Sequence, residues 1–506
     1  MIWTVVAVPK TWLSSVITCL HKKGLKSVAK NYRSIFIMNS ISRLLPRLII
    51  ERLRETYESL IMNSQFGFRS NRSTTDAIFI VREAIKSTRK PLHLCMIDLR
   101  AAYDHVDRNM LFSVVSIRTK APKLTAILKS LYTYTCASIK NTDDIFQVYT
   151  GCRQGGIESP VLFNIYMDFV LRCVEHEVLK KYPNTGLKYS YHIKSESSTR
   201  EQRSVHKMSG SDRLRMLLYA DDIVLFCEDV QELQSILRIY DETFSRFGLT
   251  IATDKTQTLS FNVPEEVMNA KSLISLREEP IENVRRFKYL GHVLSNEVPN
   301  NASAFLNHQI SSAFSKWNEM KSVLLDKRIF LSTRVKLLEA CVRSRLLYSV
   351  QAWQLNAKEM QKLESIWCGF LRRMVKGGFS RVNAPKNKKD LIPVEEIDWA
   401  YKFSNENIRE ITKSSSIKAF CEKQHLKYIA HVTRLGNNNL QKQFLFCTTS
   451  KTSSSRWKKF SDMTGLDESQ LRRKMIDRKE FQQLLSMLFG NARMAGAPDE
   501  DQSSNR

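Results

Sequence analysis

The stretch MLLYADDIVLF, residues 216–226, carries two adjacent carboxylates, Asp221 and Asp222, inside an otherwise almost wholly apolar run. The flanking segments are rich in Leu, Ile and Val and too short for a typical helix. They read as two buried strands meeting at a tight turn, with the aspartates at its tip. Asp is an ordinary turn residue, so a plain hairpin turn would account for a bare Asp-Asp pair. Two carboxylates emerging from a buried hairpin nevertheless repel each other and lose solvation unless a cation or a proton offsets them. A divalent metal ion would do so.

The rest of the chain sets the context. Its 506 residues can bury more than one core, and at ~150 residues per domain about three units are expected. Lys and Arg number 78 against 51 Asp and Glu, a formal charge of +27, which suggests a polyanionic partner. The ten cysteines, Cys19 to Cys447, show no C-x-x-C pair and no Cys/His cluster at zinc spacing; they read as reduced intracellular packing thiols. Residues 1–20 are apolar but interrupted by Pro9 and Lys10 with no small-residue cleavage site after them, which fits neither a signal peptide nor a membrane span. A soluble protein with no membrane partner is expected, since no run of about 18 uncharged apolar residues occurs elsewhere.

Along the chain, residues 1–90 mix basic turns such as HKKGLKSVAKNYR with helical segments such as SRLLPRLIIERLRETYESL. From 91 to about 294 short apolar strands (LHLCMIDL, FQVYTG, MLLYADDIVLF, FKYLGHVL) alternate with helix-period segments, among them SPVLFNIYMDFVLRCVEHEVL and VQELQSILRIYDETFSRFG, the latter stopping at Gly248 as a helix C-terminus should. This is an α+β pattern with an antiparallel hairpin at its centre. The polar, Ser- and Arg-rich residues 190–213 are expected to form a mobile loop, 380–394 a linker, and the tail GNARMAGAPDEDQSSNR a disordered end. Beyond about 300, helices with basic faces dominate.

A second carboxylate pair, Asp98 and Asp104, follows the strand in LHLCMIDLRAAYDHV. A metal pair bridging a phosphate substrate needs carboxylates from separate strands converging on one point, because Mg²⁺ prefers octahedral oxygen ligands and takes few of them from protein. Asp98 and Asp221 meet that demand.

From about residue 8 to 294 the motifs HKKGLKSVAKNYRSI, NSQFGFRSNRSTTDAI, CMIDLRAAYDHVD, GCRQGGIESPVLFNIYMD, LLYADDIVLF, GLTIATDKTQT and FKYLGHVLS occur in this order. In that order they resemble the reverse transcriptases of non-LTR (LINE-type) retrotransposons. The resemblance implies an RNA-directed DNA polymerase with a right-hand fold. Its fingers would span about 1–90 and its palm, with an antiparallel sheet, about 91–294. A helical thumb at 295–380, a basic helical C-terminal region at 381–490 and the tail 491–506 would follow.

It also implies roles for residues. Asp98, Asp221 and Asp222 match the catalytic aspartates, with two Mg²⁺ ions held by these carboxylates and the Leu99 carbonyl. Tyr103 matches the aromatic gate against a ribose 2′-OH; a core tyrosine is the alternative. Gln154 and Gly155 match the loop at the incoming nucleotide and template base, and Lys22, Lys23 and Arg33 the basic residues at the triphosphate. Arg suits that place because its planar fork pairs phosphate oxygens; a solvated basic loop is the alternative. Lys255 matches a lysine near the pyrophosphate leaving group, Tyr289, Leu290 and Gly291 the primer-holding hairpin, and Arg69 and Arg72 could line the template path. Asp104 is a family feature for which metal binding is not expected.

The implied partners are an RNA template, a DNA primer and dNTPs, with a separate endonuclease expected because no endonuclease motif is recognised in this sequence. The implied place is inside the cell, in the nucleus. The chain departs from its relatives where NYRPIS is NYRSIF, RPGRST is RSNRST and RQGDPLSP is RQGGIESP. These changes affect loop geometry rather than metal ligands. A catalytically inactive, nucleic-acid-binding transposon relic is the alternative from another class, and a group II intron-type maturase a third reading with the same core.

Overall fold

The computed structural model describes residues 2–22, 24–142, 144–194, 207–297, 303–353, 355–376, 404–449 and 451–490. The expected linker at 380–394 and the tail from 491 lie outside the described residues. The fourteen described strands are β1 (Ser14–His21), β2 (Tyr32–Met38), β3 (Leu92–Ile97), β4 (Cys136–Ile139), β5 (Ile145–Gln147), β6 (Leu187–Lys194), β7 (Lys207–Leu214), β8 (Met216–Tyr219), β9 (Asp222–Cys227), β10 (Gln257–Phe261), β11 (Ser272–Leu276), β12 (Glu279–Asn283), β13 (Arg286–Tyr289) and β14 (His292–Ser295). The architecture is α+β, as the sequence pattern predicts. By contact density the chain divides into two units, one of residues 1–77, 87–190 and 211–287, the other of 78–86, 191–210 and 288–506.

The first unit is built on a six-stranded sheet of order β11-β12-β10-β3-β9-β8. All six residues of β3 are buried, and so are five of six in β9, which is why both read as unbroken apolar runs rather than alternating ones. β3 pairs antiparallel with β9 and β10, and β8 with β9, whereas β10 and β12 run parallel. The sheet is thus antiparallel apart from that one pair. Helix Val230–Arg246 packs on β3, β9 and β11. Asp229 starts it, its side chain accepting from the Glu232 N–H, and Gly248 at φ +70° follows its end.

Helix Ser159–Lys181 runs through the core, with Phe163, Asn164, Ile165, Tyr166, Met167 and Asp168 all buried. Its Asp168 ties three elements together. One carboxylate oxygen accepts from Arg118 at 2.6 Å and Arg172 at 2.8 Å, and the other from the Met62 N–H at 2.8 Å. A second sheet, of order β2-β1-β4-β5, joins β1 antiparallel to β2 and parallel to β4.

The second unit is mainly helical. Helices Ser303–Leu324, Ala357–Lys376 and Ile417–Arg434 enclose a core that includes Trp317, Trp367 and Phe370. Glu364 fastens its neighbours, accepting from Arg409 at 2.5 Å and from the Ile417 N–H at 2.7 Å. The segment KYIAHVTRL lies mostly within Ile417–Arg434, and its Tyr428, Ile429, Ala430, Val432 and Thr433 are buried, so it contributes packing.

One expectation is corrected. Residues 190–213, expected to be a mobile loop, belong in part to the paired strands β6 and β7. Tyr189, Tyr191 and Ile193 are buried, an alternation that a polar average over the segment hides; residues 195–206 lie outside the described residues.

Candidate active site

Asp98 stands one residue past the end of β3. The segment Ile251–Thr256 holds its backbone on both sides: its C=O accepts from the Ala252 N–H at 2.8 Å and its N–H donates to Thr256 Oγ1 at 3.3 Å. From the same segment Lys255 Nζ reaches Asp98 Oδ2 at 3.0 Å. Leu99 faces Ile251 in an isolated antiparallel bridge. The bridge is made by Ala252 N–H to Asp98 C=O and Arg100 N–H to Thr250 C=O, so Leu99 spends neither of its own backbone groups on it.

The two other aspartates arrive on the hairpin β8–β9, where Tyr219 pairs with Asp222. Ala220 and Asp221 form the tip, and Asp222 opens β9. β9 is the antiparallel neighbour of β3, with Ile97 opposite Ile223, so adjacent strand ends deliver Asp98 and Asp222 to one edge of the sheet. The carboxylates sense one another. Lost solvation raises the Asp221 pKa, its own backbone N–H lowers it, Asp98 raises it further, and Arg33 and Lys22 pull it down. Asp222 is pushed up to about 6, first by lost solvation from the protein around it and then by Asp221 and Asp98. The Asp222 residue itself is exposed to solvent. Among the described residues no three His, Cys, Asp or Glu side chains close on one point as a metal cage. The oxygen-only donors, whose repulsion Lys255, Arg33 and Lys22 relieve only in part, nevertheless fit Mg²⁺, which takes only one or two protein carboxylates and completes its octahedron with water and phosphate.

Around this edge the structure gathers several of the predicted residues. The Tyr103 ring stacks on Phe163, centroids 4.1 Å apart at 17°. Its hydroxyl is buried without a hydrogen-bond partner, and burial together with the Asp221 charge raises its pKa. Gln154 Nε2 donates to Asp104 Oδ1 at 3.2 Å, while the Gln154 C=O accepts from the Phe36 N–H on β2 at 2.7 Å. Gly155, at φ +115°, lies so close to β2 that a Cβ would come within 2.6 Å of the Phe36 C=O; only glycine fits there. Arg33 on β2 and Lys22 after β1 are exposed, and Lys22 N–H donates to Asn31 C=O at 2.8 Å. Lys23 lies outside the described residues.

Tyr289, Leu290 and Gly291 belong to the second unit. There Leu290 (φ +47°) and Gly291 (φ +82°) turn the chain between β13 and β14. Tyr348 Oη donates to the Leu290 C=O at 3.0 Å and Gln309 Nε2 to the Gly291 C=O at 3.2 Å.

Arg69 and Arg72, which could line the template path, are held by their own loop. Arg69 is spent inside the fold: its Nε donates to Glu58 at 3.0 Å, Nη1 to the Met62 C=O at 2.8 Å and Nη2 to the Glu58 C=O at 2.9 Å. Arg72 Nη1 donates to the Asn63 C=O at 2.5 Å, and its guanidinium lies 4.8 Å from the Phe66 ring. Both brace their own loop.

The departure at RQGGIESP has a structural account. Glu158 is buried and accepts from Tyr132 Oη at 3.0 Å and Arg153 Nη2 at 3.2 Å, so its charge comes with partners.

A family model described as "Reverse transcriptase (RNA-dependent DNA polymerase)" matches residues 20–294. The chain is 26% identical over 369 residues to the Drosophila melanogaster protein named "Probable RNA-directed DNA polymerase from transposon BS", covering 69% of this chain and 37% of that protein. It is 23% identical over 307 residues to the Nasonia vitripennis "Retrovirus-related Pol polyprotein from type-1 retrotransposable element R2", covering 58% and 27%. It therefore spans about a third of the length of such relatives. Among solved structures, apo telomerase from Candida tropicalis matches at 12% identity with a TM-score of 0.39 over 88% of this chain and 71% of that one, a likeness too loose to carry an argument. With more than half of its residues inside the family match, the chain belongs to the reverse transcriptase (RNA-dependent DNA polymerase) family.

Proposed function

We propose that this chain is the RNA-directed DNA polymerase of a non-LTR retrotransposon, with fingers at about 1–90, palm at about 91–294, thumb at 295–380 and a basic helical region to 490. The observation that carries the reading is the meeting of Asp98, Asp221 and Asp222 at one sheet edge, inside the segment that matches the family. The similarity to the transposon BS and R2 element proteins supports the retrotransposon assignment.

Asp98, Asp221 and Asp222 with the Leu99 carbonyl would hold two Mg²⁺ ions, which when bound supply a lowered pKa for the primer 3′-OH and charge relief at the pyrophosphate. The remaining work falls to the chain. Lys22 and Arg33 orient the triphosphate so that its α-phosphate lies in line with the 3′-OH. Tyr103 presses on the sugar where a 2′-OH would sit, and Gln154 and Gly155 seat the base pair. Lys255, released from Asp98, offers an Nζ proton to the departing pyrophosphate. The hairpin at Tyr289, Leu290 and Gly291 holds the primer end. Template, primer and dNTPs are the proposed partners, with a separate endonuclease supplying the 3′-OH, and the nucleus is the proposed place of action.

Primer extension by the purified chain on an RNA template with dNTPs and Mg²⁺ tests this reading. Extension that stops in Asp221→Asn supports it. Tight duplex binding with no extension by the unmodified chain favours an inactive relic.

A further inference from the structure

The segment NSQFGFR, residues 63–69, has no role in the chemistry above, yet it grips the catalytic turn. Gln65 is 3% exposed. Its Oε1 accepts from the Ala220 N–H at 2.9 Å and from the Gly67 N–H at 2.8 Å, while its Nε2 donates to the Ala220 C=O at 3.2 Å. One carboxamide thus satisfies both backbone groups of the residue immediately before Asp221.

The neighbourhood fits that grip. Phe66 N–H donates to the Leu218 C=O at 2.8 Å and Leu218 N–H to the Ser64 C=O at 2.9 Å, so the segment runs beside β8 as a short parallel bridge. A Cβ on Gly67 would fall 2.4 Å from the Ala220 nitrogen; the approach exists because residue 67 has no side chain. From behind, Asn164 Nδ2 donates to the Gly67 C=O and to Tyr57 Oη, each at 2.8 Å. Ala220 itself has a left-handed backbone at φ +58°, a conformation that costs a non-glycine residue energy and persists only where its surroundings enforce it.

We propose that Gln65 is a positioning residue for polymerisation: by fixing the Ala220 peptide at both ends it sets where the Asp221 carboxylate is presented. The proposal rests on the reading of Asp221 as a catalytic carboxylate. A residue that only stabilised the fold would contribute its hydrogen bonds without governing the turn, and the two cases part experimentally.

Gln65→Met keeps the length of the side chain and removes the two-point grip, and Gln65→Glu keeps an acceptor while losing the amide donor. The full chain and both variants are compared well below their unfolding temperatures. Single-nucleotide incorporation, Mn²⁺ binding to the protein with primer and template but no dNTP (electron paramagnetic resonance of the free ion), and hydrogen exchange at the Ala220 amide are measured. A misplaced reacting group costs about 100-fold, so Gln65→Met should lose about that factor in kcat with the dNTP KM little changed. It should bind Mn²⁺ more weakly and exchange the Ala220 amide faster while Leu225 in β9 stays protected. Gln65→Glu should fall between. Wild-type kcat, Mn²⁺ binding and Ala220 exchange in Gln65→Met, with only a lower melting temperature, would overturn the proposal. If the unmodified chain extended no primer, the polymerase reading would fail instead, and with it Asp221 as the target of the grip; faster Ala220 exchange would then show the clamp alone.

Discussion

At the scale of single residues, the active-site edge holds carboxylates whose repulsion water relieves only in part. Asp222 carries the sharpest consequence. Its carboxyl, raised to about 6 in the folded chain from an ordinary 3.8, binds protons that the unfolded chain has already released, so it costs the metal-free protein stability as pH rises from about 4 to above 6. Metal-free Asp222→Asn is therefore expected to melt higher than the parent at pH 7.5 and equal to it near pH 4. Saturating Mg²⁺ should narrow the gap at pH 7.5. An equal gap at both pH values would contradict the raised Asp222 pKa. Tyr103 yields a second test. Its hydroxyl has no partner while its ring stacks on Phe163, so the ring's bulk matters and its oxygen does not. Tyr103→Phe should leave the preference for dNTPs over rNTPs unchanged, whereas Tyr103→Val should lower it by admitting the 2′-OH. The same preference in both variants and the parent would make Tyr103 a packing residue.

At the scale of elements, Asp168 illustrates how helices are held to one another. It is 4% exposed and compensates Arg118 and Arg172 while capping the Met62 N–H beyond helix Leu44–Leu60. Arg118 and Arg172 stay partly solvated, so Asp168→Ala chiefly leaves the Met62 N–H without its acceptor and should destabilise the first unit by about 1 to 3 kcal/mol. Urea unfolding followed by hydrogen exchange checks it, with amides of Leu44–Leu60 exposed earliest. Much at this scale was legible in the sequence. The hairpin MLLYADDIVLF, the strand ending just before Asp98 and the helices ending before Gly248 and opening at Ser159 stand where apolar period, turn residues and caps put them, because those signals are local. Other features were not legible, for a common reason. The grip of Gln65 on Ala220 spans 155 residues of chain and the reach of Lys255 to Asp98 spans 157. Neither leaves a periodic trace. The bonds of Arg69 and Arg72 to Glu58, Asn63 and the carbonyls of 58–65 likewise leave no periodic trace.

At the scale of the whole molecule, a net charge of +27 makes binding to a nucleic-acid duplex an electrostatic matter. Each neutralised phosphate adds roughly 0.7 to 0.9 to the slope of log affinity against log salt, so RNA/DNA duplex affinity should fall steeply between about 50 and 200 mM salt and depend little on sequence. A flat line would contradict a duplex-gripping surface. If Asp98 and Asp221 form one catalytic centre, single-nucleotide incorporation on a defined RNA template with a DNA primer depends on both. Asp98→Asn and Asp221→Asn, each with duplex affinity and melting temperature close to the parent, should lose at least about a thousandfold in rate, ~4 kcal/mol of transition-state stabilisation. Incorporation at the parental rate by either variant would contradict the account.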